Sequence, residues 1–133
     1  MTLTDPTVFY TGWLVDLAER EALLARFAPL YGRAIAHHVT LKFDAGDTAP
    51  PGEVAGEIIG HADDGSGVQA LVVAIDGSPA RPDGGTFHIT WSLADGREAR
   101  ETNAVIATHG WAALDAPVPL RLIPAKLSSS QAQ

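Results

Sequence analysis

Two short stretches, fifty residues apart, repeat one design and constrain the fold more than any other feature of the chain. Residues 38–41 read His-Val-Thr-Leu, and residues 88–91 read His-Ile-Thr-Trp. Successive side chains of a β-strand point to opposite faces, so each stretch would place His and Thr on one face and two apolar residues on the other. The same alternation puts Lys42 on the face of the first histidine and Ser92 on that of the second. We therefore expect two strands, each packed on one side and carrying an imidazole beside a hydroxyl on the other.

These paired units resemble a known family. Two H-x-T-x units on separate strands are the mark of the two-histidine (2H) phosphoesterases, which act on cyclic phosphodiesters of RNA ends and nucleotides. The positions that match are His38, Thr40, His88 and Thr90.

A finer likeness follows the second unit. Asp95-Gly96, and then Thr102-Asn103 before an apolar helix start, resemble the end of the motif in the cyclic phosphodiesterase domains of fungal-type tRNA ligases. Together with the opening strand and first helix, the resemblance covers most of the chain. One departure is Trp91, which stands where the family usually has an aliphatic residue and which we expect to pack in the core.

The resemblance implies both a fold and an activity. The fold would be α+β and two-lobed, with antiparallel sheets lining a central cleft, helices outside and a pseudo-twofold axis. The activity would be metal-independent hydrolysis of a 2′,3′-cyclic phosphodiester to a 2′-phosphate, with no cofactor. His38 and His88 would be the general acid and base, and Thr40 and Thr90 would hold the phosphoryl oxygens.

The chemistry of these residue types suits that reaction. Opening a cyclic phosphodiester with water needs a base for the water and an acid for the departing sugar oxygen, on opposite sides of phosphorus. Imidazole has an unperturbed pKa near 6.5, so we expect both protonation states near neutral pH. Threonine hydroxyls can donate to the non-bridging oxygens, where charge rises in the transition state. The sequence does not decide which histidine is acid and which is base.

Four further residues are candidates for substrate binding. Lys42 would neutralise a phosphate, although a solvated lysine at a strand end is an equal alternative. Tyr10 would stack on a base, and Arg97 and Arg100 would steer RNA, although arginines in a hairpin are commonly surface residues. His37 has the opposite parity to His38 and is expected to be a packing or strand-entry residue, not a second catalyst. The histidines and acidic residues show no metal-ligand spacing, so we expect no metal site.

Composition limits the partners. The 133 residues carry a net charge of −7, which disfavours binding along a nucleic-acid duplex but permits recognition of one phosphate in a locally positive pocket. The absence of cysteine excludes disulfides, and no apolar run approaches the ~20 residues that span a bilayer. We expect a cytoplasmic monomer that does not bind membranes and whose partner is an RNA end with a 2′,3′-cyclic phosphate or a cyclic nucleotide.

Hydrophobic periodicity and turn residues predict one domain over residues 1–127 and a disordered tail over 128–133. A helix should start at Asp16 through a capping box with Glu19 and stop at Gly32, and a short helix should run from Thr102 or Asn103 to about Thr108 and end at Gly110. The expected loops are 44–52 and 77–85. The expected strands are a central one at 7–15, the two motif strands, a pair at 53–61 and 69–76, a return strand at 97–101 after the Asp95-Gly96 turn, and an edge strand at 118–127. Because apolar residues in 53–61 break strict alternation, a helix is the alternative for that segment.

Two other readings remain open. The chain could be a binding module that holds a nucleotide or RNA end in the same cleft without turnover. It could also be a structural β-rich domain in which the two units are coincidental, and this reading predicts that His38 and His88 lie far apart.

Overall fold

The computed structural model describes residues 9–43 and 48–128. These residues form eight strands, two α-helices and one 3₁₀ turn, with α1 following β1 and α2 following β6. The bounds are β1 Phe9–Val15, α1 Leu17–Arg26, β2 Arg33–Ala34, β3 His38–Lys42, β4 Gly56–Asp63, β5 Val68–Ile75, β6 His88–Leu93, the 3₁₀ turn Ala99–Glu101, α2 Thr102–His109, β7 Ala112–Leu120 and β8 Leu122–Ser128.

The strands form one sheet in the order β7-β4-β5-β6-β3-β1-β8, with the short β2 paired to β6. Every pairing among them is antiparallel, so the α+β class with antiparallel strands is confirmed. The separate sheets that we expected are here one continuous sheet. It is joined in the middle by β3 and β6, where Val39 lies directly opposite Ile89. The two motif strands are therefore neighbours.

The predicted strand at 118–127 is two strands, interrupted at Arg121. β7 and β8 form the two edges of the sheet, and they carry the prolines. The edge assignment is therefore confirmed, because an edge strand can tolerate a residue that lacks a backbone donor. The predicted central strand is confirmed as β1, which pairs with β3 on one side and β8 on the other.

Helix α1 begins as predicted and ends earlier. The Asp16 carboxylate accepts a hydrogen bond from the backbone N–H of Ala18, but Glu19 binds the backbone N–H of Arg121 in place of completing a capping box. The helix stops at Arg26 because Pro29 disfavours helical geometry just before it. The carbonyl of Phe27 accepts instead from the Trp91 indole at 2.6 Å.

The two helices cover opposite faces of the sheet. Leu23 of α1 joins the main core, which contains Trp13, Val39, Ile89 and Trp91, whereas Leu17 in the first turn of the helix is 80% exposed. Ile106 of α2 packs on Ala70 and Val72 of β5, whose side chains alternate with the core-facing Leu71 and Val73. The sheet therefore has an α1 face, which is the core, and an α2 face.

Both motif strands contain an irregularity immediately after the H-x-T unit. In the β1–β3 pair, Gly12 opposes Thr40 but Thr11 opposes Lys42, which leaves Leu41 as an extra residue. In the β5–β6 pair, Ala70 opposes Thr90 but Gln69 opposes Ser92, which leaves Trp91 as the extra residue. Such a β-bulge reverses the face of every residue beyond it.

Of the predictions for the remaining elements, some are confirmed and one is wrong. The strand pair joined by the 63–67 turn is confirmed as β4 and β5, and Gly110 ends α2 as expected. The return strand at 97–101 is wrong, since that segment leads through the 3₁₀ turn into α2. Residues 7 and 8 of the first predicted strand, 44–47 of the loop and 129–133 of the tail lie outside the described residues. Neither described helix has the length and apolar character needed to cross a bilayer.

Candidate active site

The four H-x-T side chains share one face of the sheet. His38 and Thr40 lie opposite Leu14 and Gly12 of β1, and His88 and Thr90 lie opposite Val72 and Ala70 of β5. Their apolar neighbours Val39 and Ile89 face each other on the core side and are fully buried. The alternation therefore puts both imidazoles and both hydroxyls on the α2 face of two adjacent strands.

The glycine of β1 lets these strands come close. A Cβ on Gly12 would lie 2.0 Å from the carbonyl oxygen of Val39 and 3.0 Å from the Cα of Thr40. Only a residue without a side chain fits there, so Gly12 fixes the position of β3 and of the two motif side chains that it carries.

His88 is held by the main chain. Its Nδ1 lies 2.8 Å from the carbonyl oxygen of Thr86, and the side chain is 9% exposed. A carbonyl can only accept, so Nδ1 carries a proton and the Nε2 of the neutral ring has a free lone pair. His88 lines a cavity of about 700 Å³ that is bounded by Arg81, by residues 83–86, by α2 and the glycine after it, and by Phe43 and Trp111.

His38 is held by its neighbour in sequence. Its Nδ1 lies 2.9 Å from the Nδ1 of His37, and the two rings meet edge to face with centroids 5.1 Å apart. The ring of Tyr10 covers another side, with centroids 5.4 Å apart. His37 directly precedes β3, the strand-entry position expected for it, and its ring nitrogen is also engaged with that of His38.

Both candidate histidines are neutral at pH 7 in the unliganded protein. Burial lowers the pKa of His38 to about 4, with smaller contributions from the charges of His37 and His88. Burial lowers the pKa of His88 to about 4 as well, and the charge of Arg81 adds to this, while the bond to Thr86 and the charge of Asp83 oppose it. The expectation of pKa values near 6.5 is wrong because both rings are desolvated.

The two threonines differ in their bonding. The Thr90 hydroxyl lies 2.9 Å from that of the fully buried Thr102 at the start of α2. Thr102 can donate to Thr90 and so leave the Thr90 O–H free to donate to a ligand. Within the described part of the chain, the Thr40 hydroxyl makes no hydrogen bond, so it is free to do the same.

Arg81 is the cation of this site, and the sequence analysis did not identify it. It is 4% exposed, its Nε donates to Asp83 at 2.8 Å, and its Nη2 donates to the side-chain oxygen of Asn103 at 2.8 Å. Its Nη1 is buried without a hydrogen-bond partner among the described residues. Phe43 lies over the guanidinium, 5.0 Å from ring centroid to Cζ. A buried charged donor left unpaired is costly, so this N–H is a ready partner for an anionic oxygen.

The loop before the second motif is built around Arg81. The backbone N–H of Gly84 donates to the Arg81 carbonyl, and a Cβ on Gly85 would lie 2.5 Å from Nη2. A lone arginine among Pro82, Asp83 and two glycines, just ahead of a motif strand, is the signal that could have identified it. The Thr102-Asn103 pair, noted for its resemblance, meets this site directly, because one residue binds Thr90 and the other binds Arg81.

The four substrate-binding candidates fall outside the cavity. The bulge at Leu41 turns Lys42 to the other face, opposite Thr11, where it lines a second cavity, and Phe43 takes the predicted place on the cleft side. Ser92 is likewise turned away and binds Gln69 and the backbone of Tyr31. The alternation failed at both positions because each strand gains one residue.

The other three candidates are engaged elsewhere. Tyr10 is 5% exposed beneath His38 and Phe43, so it cannot stack on a base. Arg97 binds Asp64 and Glu101 and the backbone of Ser66, and it fixes the β4–β5 turn to the 3₁₀ turn. Arg100 is 84% exposed and pairs with Glu98.

Among the described residues, no three His, Asp or Glu side chains lie close enough together to bind a metal ion. Searches of protein-family models, of curated proteins and of solved structures find no match to this chain.

Proposed function

We propose that the protein is a phosphodiesterase that hydrolyses a 2′,3′-cyclic phosphate, on an RNA end or a nucleotide, to a 2′-phosphate. The observation that carries this proposal is the shared face. Two histidines and two threonines project from neighbouring antiparallel strands, next to a cavity lined by a buried arginine whose Nη1 has no partner in the part of the chain that the structure describes. This is the set of groups that an in-line displacement at phosphorus requires.

Each group has a role in this scheme. The Nε2 lone pair of His88 takes the proton of the attacking water, and His38 protonates the departing sugar oxygen. The hydroxyls of Thr40 and Thr90 and the Nη1 of Arg81 donate to the non-bridging oxygens. The low pKa values fit a site that works on an anion, because the phosphodiester charge raises the pKa of the imidazoles when it binds. Arg81 takes the neutralising role that we first expected of Lys42.

The test is hydrolysis of nucleoside 2′,3′-cyclic monophosphates in the presence of EDTA, with the product identified by phosphorus NMR. We expect a 2′-phosphomonoester, and a loss of at least about 10²-fold in kcat/KM for His38→Ala and for His88→Ala. Arg100→Gln, which removes an exposed charge outside the cavity, should leave the rate unchanged.

The outcomes separate the alternatives. Tight binding of the cyclic nucleotide without turnover would identify a binding module. A 3′-phosphate product would contradict the proposed regiochemistry. If the protein neither binds nor hydrolyses any cyclic nucleotide or cyclic-phosphate RNA end, the shared face belongs to a structural domain.

A further inference from the structure

The two candidate histidines are held in chemically different ways. His88 donates to a main-chain carbonyl through Nδ1, which fixes its neutral tautomer with a bare Nε2. His38 meets another imidazole, and an Nδ1···Nδ1 hydrogen bond needs one proton shared between the rings. The position that corresponds to His37 in the second motif is Phe87, which packs against Trp13 in the core. The site is therefore not symmetric in its proton positions.

The segment before β3 is shaped to bring His37 and His38 together. Ala36 has a φ of +45°, a strained value for a residue with a side chain, and it is fully buried. Its N–H donates to the carbonyl of Thr90, and its own carbonyl accepts from the Arg20 side chain at 3.1 Å. Arg20 also binds the carbonyl of Ile35 at 3.0 Å. These bonds hold a turn after which two consecutive ring nitrogens converge.

We propose that His37 is the proton-donating partner of His38, so that the His37–His38 pair is the general acid and His88 is the general base. This assignment rests on the proposed function. It states which histidine takes the proton of the attacking water and which gives a proton to the departing sugar oxygen. His37 does not touch the substrate; it holds His38 in the tautomer with a proton on Nε2 and replaces that proton as it is transferred.

At the start of the step, the His37–His38 pair carries one proton more than two neutral imidazoles do. His88 Nε2 takes a proton from water as the water oxygen bonds to phosphorus and the bond from phosphorus to the 3′ oxygen breaks. The 3′ oxygen takes the Nε2 proton of His38, whose Nδ1 takes the proton of the His37 imidazolium. His88 then releases its proton to solvent, His38 takes a proton from solvent on Nε2, and the Nδ1 proton of His38 returns to His37, which restores the starting state.

The positive charges around the His37–His38 pair disfavour an imidazolium there. Arg20 on α1 faces His37, and burial and the charge of Arg20 lower the pKa of His37. The Tyr10 ring packs against His38, whose pKa the charge of His88 also lowers, and the charges of Arg81 and Asp83 act on His88. A bound phosphodiester anion is the partner that would stabilise the imidazolium.

The test compares two leaving groups in variants of His37. Cyclic nucleotides release an alkoxide that needs a proton, whereas a p-nitrophenyl phosphodiester releases a stable phenolate that does not. We expect His37→Leu and His38→Ala to reduce cyclic-nucleotide hydrolysis by at least about 10-fold more than p-nitrophenyl ester hydrolysis. His88→Ala should reduce both equally, because each substrate needs the base.

Two further measurements separate proton transfer from packing. In His37→Asn, the amide can still donate to His38 Nδ1 but cannot pass on a proton, so the tautomer should persist while the cyclic-nucleotide rate stays low. Long-range proton–nitrogen NMR of the unliganded protein should show His88 protonated on Nδ1 and His38 on Nε2, with the His38 pattern lost in His37→Leu. The exposed His109→Asn is the matched control.

The proposal is overturned if His37→Leu changes neither the His38 tautomer nor the ratio of the two rates, or if His37→Asn restores the full cyclic-nucleotide rate. A wild-type protein that hydrolyses neither substrate would remove the proposed function. The NMR tautomers would still test the hydrogen bond between the two rings.

Discussion

At the residue scale, the two motif threonines have the same candidate chemistry but different structural roles. Thr90 shares a hydrogen bond with the fully buried Thr102, whereas the Thr40 hydroxyl makes none with any residue that the structure describes. Thr90→Val would leave the Thr102 hydroxyl buried and unpaired, which costs about 1–3 kcal/mol. Thr40→Val replaces the hydroxyl with a methyl of equal size and breaks no bond within the described residues.

We therefore expect urea denaturation to show a loss of about 1–3 kcal/mol in the free energy of unfolding for Thr90→Val and less than about 0.5 kcal/mol for Thr40→Val. Both should reduce kcat/KM on a cyclic nucleotide. Equal stability of the two variants would show that the bond to Thr102 contributes nothing to folding.

For Arg81 we expect a large contribution to ligand binding and a small one to the free energy of unfolding. Its guanidinium is buried, its Nη1 has no hydrogen-bond partner within residues 9–43 and 48–128, and its partner Asp83 is partly exposed and can be solvated. Removing one partner of an ion pair is costly mainly when the other charge is left buried, and Asp83 is not. We expect Arg81→Met to change the free energy of unfolding by less than about 1 kcal/mol and to weaken binding of a nucleoside 2′-phosphate by at least about 10-fold. Calorimetric titration checks the binding, with Arg100→Gln as the control of equal charge.

At the element scale, the two bulges decide which residues enter the cleft. Each follows an H-x-T unit, so the motif keeps its face while the next residues change theirs. Hydrophobic alternation predicted the strands, and it correctly grouped each His with its Thr. It failed at Lys42 and Ser92 because an inserted residue leaves the sequence pattern unchanged and alters only the pairing with the neighbouring strand.

Strands β1 and β3 approach each other most closely at Gly12, where a side chain would not fit. In Gly12→Ala, the new Cβ would meet backbone atoms of Val39 and Thr40 that no rotamer change can move. We expect a loss of about 1–3 kcal/mol in the free energy of unfolding, typical of overpacking, and a lower kcat because β3 carries His38. Gly32→Ala is the matched control, since its Cβ would meet nothing within 4 Å. Thermal unfolding of the two variants compares them, and equal melting temperatures would contradict the close contact.

At the scale of the whole molecule, composition and periodicity were sufficient for the class and most of the elements but not for the contacts of the site. The Arg81–Asn103 and Thr90–Thr102 bonds join residues 22 and 12 positions apart through the packing of α2 on the sheet. The His37–His38 bond depends on the positive φ of Ala36, which no residue preference predicts. Local patterns determine which face a side chain takes, whereas these partners depend on tertiary geometry.

The buried histidines also give the whole protein a pH-dependent stability. His38 and His88 have pKa values of about 4 in the folded state and about 6.5 when unfolded. Between those values the unfolded chain binds protons that the folded chain does not, so the free energy of unfolding should fall as pH decreases from about 6.5 to about 4. Each pKa difference corresponds to at most about 3 kcal/mol, and the partly exposed His38 should contribute less than His88.

The carboxylates with lowered pKa values also stabilise the folded protein less as pH falls. They do so at lower pH than the histidines, because the ordinary pKa of a carboxyl group already lies near 4. Urea denaturation at pH 7.5, 6.5, 5.5 and 4.5 therefore isolates the histidine contribution in its upper range. The variant that combines His38→Asn and His88→Asn should show a clearly smaller slope between pH 6.5 and 4.5, and His109→Asn should retain the wild-type slope. If the wild-type free energy of unfolding is constant over this range, the two rings are solvated and the desolvated cleft on which the proposed chemistry depends does not exist.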